Sequence, residues 1–469
     1  MLNYLPQFFT RKAIILYLIS IVVVSIVFSN HILDWYWFAF GLVEVVVFFY
    51  FSNLFTRKWS NFSVGHFEKK LFNTALILRV AWVVFSYFFY ILMTGQPFEF
   101  QSADAYNYHT RAIWIKGLFE SSYLPPYYDF FNEGPSDSGY PTYLSLIYLV
   151  TGNSIFIARL FKALIGAYTA VLIYKLATRN FGEEVGRMAG IFTMLMPNLI
   201  LYCGLHLKEV EMVFLTVLFI ERSDFLIRSN KYTFITIFPA LIIGLSLFFF
   251  RTVLGVTAIF SLFTALFLSS KKVIPMNRRL VMIIWLIVAS AYFIGGRIST
   301  EVEEIWMAKS KNQETSLQWR ADRSGGNKFS TYASKSIFAP LIFVIPFPTL
   351  VNTPGQENQQ LINGGNYVKN IMAFFVIFAL IMMFNEKKWK EHLLILSFTI
   401  GYLLSIALSA FAQSERFHQP ALPFLLILAA YGISKVTNST KGYYIWYLSV
   451  IFAAILVWSW FKLAGRGMA

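Results

Sequence analysis

Ala13-Ile-Ile-Leu-Tyr-Leu-Ile-Ser-Ile-Val-Val-Val-Ser-Ile-Val-Phe28 holds no charged residue and follows directly on Arg11 and Lys12. As an α-helix, with little added at its ends, this run crosses a hydrocarbon core about 30 Å thick. It is too long for the apolar region of a signal peptide and lacks a small-x-small cleavage site. It therefore reads as a retained first membrane helix. The pattern recurs along all 469 residues, of which 57% are hydrophobic, 19% aromatic and only 13% charged. A soluble domain is about 45–50% apolar and about 25% charged. A soluble globule of this length cannot hide so much apolar surface. A soluble enzyme, a DNA-binding protein and a disordered scaffold are excluded on this ground. The period-two alternation of an outer-membrane barrel is absent. The expected class is an all-α polytopic membrane protein forming a single membrane domain, 1–469.

Apolar runs predict about 13 spans, at 13–29, 34–55, 74–94, 153–175, 187–203, 209–227, 233–250, 252–268, 280–296, 371–385, 393–411, 419–435 and 443–461. The run 141–151 is short and ends at Gly152-Asn153, so it reads as a surface or half-inserted helix. The run 337–351 carries Pro340, Pro346 and Pro348 and reads as a re-entrant or interfacial piece.

The net charge of +15 fits cytoplasmic loops better than nucleic acid, which is not expected as a partner. With the N-terminus inside, the inner segments 11–12, 57–70, 175–187, 222–231, 271–279, 387–390 and 435–441 hold about 21 basic residues; the short outer loops and tail hold about seven. A further full span at 141–151 or 337–351 would turn every later basic loop outward. The single cysteine, Cys203, allows neither an intrachain disulfide nor a thiolate metal cluster. No Walker-type or G-x-G-x-x-G loop occurs, which speaks against ATP-driven transport and cytoplasmic nucleotide chemistry.

The outer face collects the chemistry. Ser102-Ala-Asp-Ala-Tyr-Asn-Tyr-His-Thr-Arg111 predicts a helix capped by Ser102 or Asp104, with an apolar stripe at Tyr106, Ile113 and Gly117-Leu118 lying in the interface. Asp104 at its start can take a proton from a bound hydroxyl. Leu205-His-Leu-Lys-Glu-Val-Glu211 opens a span, and ionisable groups at that depth are functional by default. Glu211, deeper in, is expected to pair with Arg251 or Arg159. Gln413-Ser-Glu-Arg-Phe-His-Gln-Pro-Ala-Leu-Pro423 joins two late spans, and the planar fork of Arg416 suits a phosphate. Arg251, isolated between apolar spans, is a similar candidate. The polar loop 297–370, with Gln318–Gly326 and Asn363-Gly-Gly-Asn366, is too long for a mere connector. His109, His206 and His418 fall on one side with acids nearby, but no H-x-x-x-H or D-x-D spacing supports a metal, and no cofactor is expected.

These motifs, in this order, resemble the GT-C superfamily of polyprenyl-phosphate-dependent membrane glycosyltransferases, which includes protein O-mannosyltransferases and aminoarabinose transferases. The resemblance rests on Asp104 with Tyr106 and His109, then Gly139-Tyr-Pro-Thr-Tyr143, Thr151-Gly152 and Ala158-Arg-Leu-Phe161. It continues through Gly182-Glu-Glu-Val-Gly-Arg-Met-Ala189 with Pro197, Lys208-Glu209, and Glu415-Arg416-Phe417 with Pro420 and Pro423. It implies a two-helix extension at 1–73, a GT-C-like core at 74–250 with outer loop 95–140, further spans at 251–296, the long outer loop 297–370 and C-terminal helices at 371–469. Two spans precede the helix leading to Asp104, where such families usually have one.

The resemblance implies a sugar on undecaprenyl phosphate, or dolichyl phosphate in a eukaryote, moved to a glycan, lipid or protein acceptor. Asp104 would be the base and Glu209 a second catalytic carboxylate. Lys208, Arg251 and Arg416 would meet the donor phosphate. Tyr106, His109, His206, Glu211 and Glu415 would line the substrate. One displacement would invert the anomeric carbon. An O-antigen-type polymerase or ligase acting on a diphosphate-linked oligosaccharide is an alternative reading, loosely supported by Arg320 and Arg323. A lipid-linked-sugar flippase is another, although no internal repeat is visible. The abundance of Phe, Ile, Asn and Lys suits a bacterium with an AT-rich genome, hence an inner-membrane protein with its active site toward the periplasm or exterior.

Overall fold

The computed structural model describes residues 2–229, 234–271, 273–274, 279–280, 283, 340–409, 412–466 and 468. Helices dominate, and no strand occurs among the described residues beyond an isolated bridge between Ile32 and Val351. The chain is a multi-pass all-α membrane protein. In hydrocarbon every backbone N–H and C=O must find its partner within the protein, and a helix does this within one segment.

The elements are α1 (Gln7–Val27), α2 (Trp35–Lys58), α3 (Val64–Thr94), α4 (Ala103–Glu120), α5 (Pro125–Glu133), α6 (Gly139–Thr151), α7 (Ile155–Phe181), α8 (Glu183–Leu195), α9 (Pro197–Leu201), α10 (Glu209–Arg228), α11 (Phe234–Phe250), α12 (Thr252–Leu268), α13 (Asn363–Asn385), α14 (Leu393–Ala407), α15 (Glu415–Ser434, opening on the turn Glu415–His418) and α16 (Thr440–Ala464). Among the described residues, 7 helices are long and apolar enough to cross a membrane: α1, α2, α3, α7, α13, α15 and α16. The bent pair α8–α9 makes an eighth if counted as one span. Apolar stretches in α11, α12 and α14 are shorter, and α10 carries several charges. The span expected at 280–296 lies almost wholly outside the described residues, as do 297–339.

Several boundaries move. The third helix starts at Val64 rather than 74 and runs for 31 residues. The span expected from 371 starts at Asn363, so the end of the expected outer loop is helix. Polar Asn363, Asn366 and Asn370 hid this start, yet each is buried against other elements. The run at 141–151 is α6, only 13 residues long. The proline-bearing segment is irregular from 344 to 350 and buried, with the Val344 and Pro346 carbonyls accepting from Asn370 Nδ2.

Two packing devices position the site. Pro197 cannot donate to the Thr193 carbonyl, and the chain bends by 54° between α8 and α9. Fully buried Arg79 on α3 takes up the freed acceptors: Nη2 donates to Thr193 O at 3.2 Å and Nη1 to Met194 O at 3.3 Å. The paired Gly364-Gly365 lets α13 approach α2 and α9. A Cβ on Gly364 would lie 2.5 Å from the Gly41 carbonyl, and one on Gly365 2.2 Å from Asn198 Oδ1. In that contact Glu44 of α2 accepts the Gly365 N–H at 2.7 Å.

The ends of the bundle differ in character. At one end Arg187 donates to the carbonyls of Trp59, Ser60 and Phe62, capping α2, while Arg179 pairs with Glu221 at 2.6 Å and Arg228 meets Asn180. Lys435 meets Glu386 there at 3.1 Å. At the other end Glu99 meets the His206 backbone, the Asp137 N–H donates to Phe249 O, and Gln101 meets Glu357. The helices α4–α6 lie at this second end, which carries the candidate site.

Candidate functional site

Asp104 stands in the first turn of α4, its side chain 60% exposed. Ser102 occupies the N-cap position without a side-chain cap bond. The buried face of α4 is Ala105, Tyr108, Ala112 and Ile115, at helical spacing, and α4 packs on α6, where Tyr108 meets Tyr140 edge-on. The stripe expected in the interface at Tyr106, Ile113 and Gly117-Leu118 lies off this packed face, partly or fully exposed. Tyr106 is exposed and touches the Phe98 ring edge-on.

Glu209 opens α10 and is 1% exposed. Arg416, in the first turn of α15, bridges the two acids. Its Nη1 donates to Asp104 Oδ2 at 2.5 Å and its Nε to Glu209 Oε1. A planar guanidinium can hold two carboxylates in this way where a lysine cannot. The second Glu209 oxygen is buried without a protein partner. Glu209 also lines a small cavity with Arg79 and Gln419. Next to Arg416, Glu415 accepts from Tyr202 Oη at 3.1 Å.

Beside this bridge lies a cleft of about 240 Å³. Glu99, Asp104, Tyr202, Asn358, Glu415 and Arg416 are on its walls. Leu201, Leu205, Leu361 and Ile362 supply an apolar side.

The remaining expected residues fall elsewhere. Lys208 is buried, pairs with Asp137 and donates to Phe250 O at 2.7 Å. Burial, then the Arg251 guanidinium, push its ammonium down to about 7, against the pull of Glu209. Arg251 lies over the Phe417 ring, 4.3 Å from its centroid, with Nη1 buried and unpartnered. Tyr108 lies among these groups. Burial raises its phenol to about 12, and Arg416, Glu209, Asp104 and Arg251 are all near enough to bear on it. Glu211 pairs with Lys162 at 3.6 Å, not with Arg251 or Arg159. Arg159 is taken by Glu99 at 3.7 Å and by the Pro97 carbonyl at 2.6 Å. Both α7 cations face partners earlier in the chain or across the 205–211 turn, which one-dimensional spacing does not reveal.

The histidines are bound to protein partners. His109 Nδ1 and His206 Nε2 share the Tyr148 hydroxyl at 2.8 and 3.1 Å, and burial lowers both imidazoles below their usual value. His418 meets Lys369 and the Ala412 carbonyl. Among the described residues no three His, Cys, Asp or Glu side chains gather as a metal site would need.

Asp104, Glu209, Arg416 and Glu415 are thus brought together; Lys208 and Arg251 adjoin them; Tyr106, His109, His206 and Glu211 stand outside the cleft. Sequence reasoning missed Glu99 and Asn358. Glu99 had a signal, as a lone acid between Phe98 and Phe100 after a long apolar helix. Asn358 had none, lying in a polar loop with no pattern.

No family model, curated protein or solved structure matches the chain.

Proposed function

We propose that this protein is an integral-membrane glycosyltransferase that moves a sugar from a polyprenyl-phosphate-type lipid to an acceptor hydroxyl. The observation that carries the reading is the Asp104–Arg416–Glu209 bridge beside a half-polar, half-apolar cleft at one end of the bundle. The GT-C-like order of motifs supports it. In the reaction an acceptor oxygen bonds to the anomeric carbon, the carbon–oxygen bond to the lipid phosphate breaks, and the acceptor proton passes to Asp104. Inversion follows from a single displacement. Glu209, buried and unpartnered at one oxygen, offers negative charge to an oxocarbenium-like transition state. Arg251 and Lys208 are the cations for the leaving phosphate, which needs charge neutralisation and no protonation.

The end rich in arginine and lysine loops is assigned to the cytoplasm by the positive-inside rule. The cleft then opens to the periplasm or exterior of a bacterial inner membrane. The test is mass analysis of lipid-linked and surface glycans in a deletion strain complemented by wild type or Asp104→Asn. Loss of one sugar, restored by wild type alone, is the expected result. Accumulation of complete repeat units without polymer would instead indicate a polymerase or ligase. Unchanged glycans would sink the enzyme reading.

A further inference from the structure

The cleft has an imbalance of hydrogen-bonding capacity. Glu99 is 3% exposed, and its Oε1 has no partner in the protein. The Oδ1 of Asn358 is likewise buried and unpartnered. Both residues are on the cleft's walls. Several donors on the cleft wall are engaged elsewhere. Asn358 Nδ2 donates to Phe100 O, Gln101 Nε2 to Gly355 O and Glu357, and Tyr202 Oη to Glu415. Arg416 directs Nη1 and Nε to Asp104 and Glu209. A carboxylate oxygen and an amide oxygen can only accept, and leaving them buried without a donor is unfavourable. A ligand that brings donors would satisfy both.

Charge points the same way. Glu99, Asp104 and Glu415 line the cleft against Arg416, with Arg159 paired to Glu99 behind the wall. The excess on the wall is negative, and Arg416 is held by Asp104 and Glu209. A phosphate would meet carboxylates with their cations already engaged. Size sets the remaining limit. A cavity of about 150 Å³ takes a benzene ring, so about 240 Å³ takes one substituted six-membered ring. Leu201, Leu205 and Leu361 can cover its C–H face.

We propose that this cleft is a binding subsite for a single sugar ring free of anionic charge, held by hydrogen bonds that its hydroxyl or amino groups donate to Glu99 and Asn358. Its role as the acceptor subsite rests on the transferase reading; the binding itself does not. The lipid phosphate belongs on the other side of the Asp104–Arg416 bridge, with Arg251 and Lys208.

The test uses the full chain purified in detergent and carrying Ser414→Cys. Ser414 is on the cleft wall, and Cys203 is buried, so the wild type serves as the unreactive control. Rates of modification are compared for a trimethylammonium-ethyl and a sulfonatoethyl methanethiosulfonate, each normalised to a free thiol in solution. The cationic reagent is expected to react about tenfold faster. Glucose and glucosamine are expected to slow it at up to about 0.1 M, where a Kd of tens of millimolar would register. Glucuronate and inorganic phosphate are expected to have no effect. Equal or reversed reagent rates, protection by phosphate, or no protection by either sugar would overturn the proposal. Adding Glu99→Gln should reduce the reagent ratio. If that variant does not elute as a monodisperse species, Asn358→Leu should remove sugar protection. Unchanged glycans in the deletion strain with protection intact would remove the transferase reading and leave the subsite standing. The opposite pattern would remove the subsite alone.

Discussion

Arg416 and Asp104 meet at 2.5 Å across 312 positions of sequence, and the same guanidinium holds buried Glu209. Three segments of the bundle, the starts of α4, α10 and α15, are tied at one point. Removing the guanidinium leaves Glu209, 1% exposed, as an uncompensated buried charge. Arg416→Gln should cost roughly 3 kcal/mol and lower transfer by at least about 100-fold. Arg416→Lys should keep much of the stability and little of the activity, because one ammonium cannot serve both acids in a planar fork. Detergent melting and a glycan-transfer assay on the same preparations check this. Full activity in the lysine variant would contradict it.

Gly364 packs its Cα against the Gly41 backbone, and the obstructing atom there is a carbonyl that cannot rotate away. Gly364→Ala should lower the melting temperature by an overpacking cost of about 1–3 kcal/mol. Gly117 lies within α4, and a Cβ added to it would meet no atom within 4 Å. Gly117→Ala should be neutral or stabilise by up to about 1 kcal/mol. Melting curves of the pair provide the comparison, and equal losses would refute the close-approach account.

Arg79 answers the carbonyls that Pro197 frees at the α8–α9 bend. Arg79→Met fills similar volume and donates nothing, so the Thr193 and Met194 carbonyls lose their donor. The expected loss is about 1–3 kcal/mol per unsatisfied group. Pairing Arg79→Met with Pro197→Ala should restore part of it, since residue 197 would regain an N–H. A strictly additive double mutant in melting experiments would count against this coupling.

His206 lies in the turn before α10 and is buried. Burial, followed by the charges of Lys162 and Arg159, lowers its imidazole well below the ordinary histidine value of 6.5. The unfolded chain then binds more protons than the folded one as pH drops through about 6.5. Stability should accordingly fall with acidification below about 6.5 and be insensitive to this group above it. His206→Gln should flatten that acid limb. The melting temperature measured from about pH 5 to 8 in both proteins reads the difference, and superimposable slopes would exclude His206 as the source.

Part of the site is legible in one dimension. Asp104, Glu209 and Arg416 each begin a helix beside an apolar run, where a charge has few ways to be satisfied except by another charge. Their meeting follows that logic. The pairing of Glu211 does not, because Lys162 lies within the apolar face of α7 and meets Glu211 only through helix packing. The packed face of α4 is likewise set by helix packing: contact with α6 buries Ala105, Tyr108 and Ala112, while Tyr106 stays exposed. Asn358 escapes a reading of the sequence, and Glu99 shows there only as a lone acid, because an orphaned acceptor is defined by its surroundings.

The sequence alone determined that this chain lives in a membrane as a bundle of helices, because partition into hydrocarbon is a sum of local, per-residue transfer free energies that apolar runs carry in one dimension. Tertiary structure decided which charges neutralise which, where the Gly364-Gly365 step lets backbones touch, and how Glu99 and Asn358 come to face one cleft. Those outcomes depend on distances between segments far apart in the chain, and in a low-dielectric interior a few ångströms separate a satisfied ion pair from an untenable buried charge.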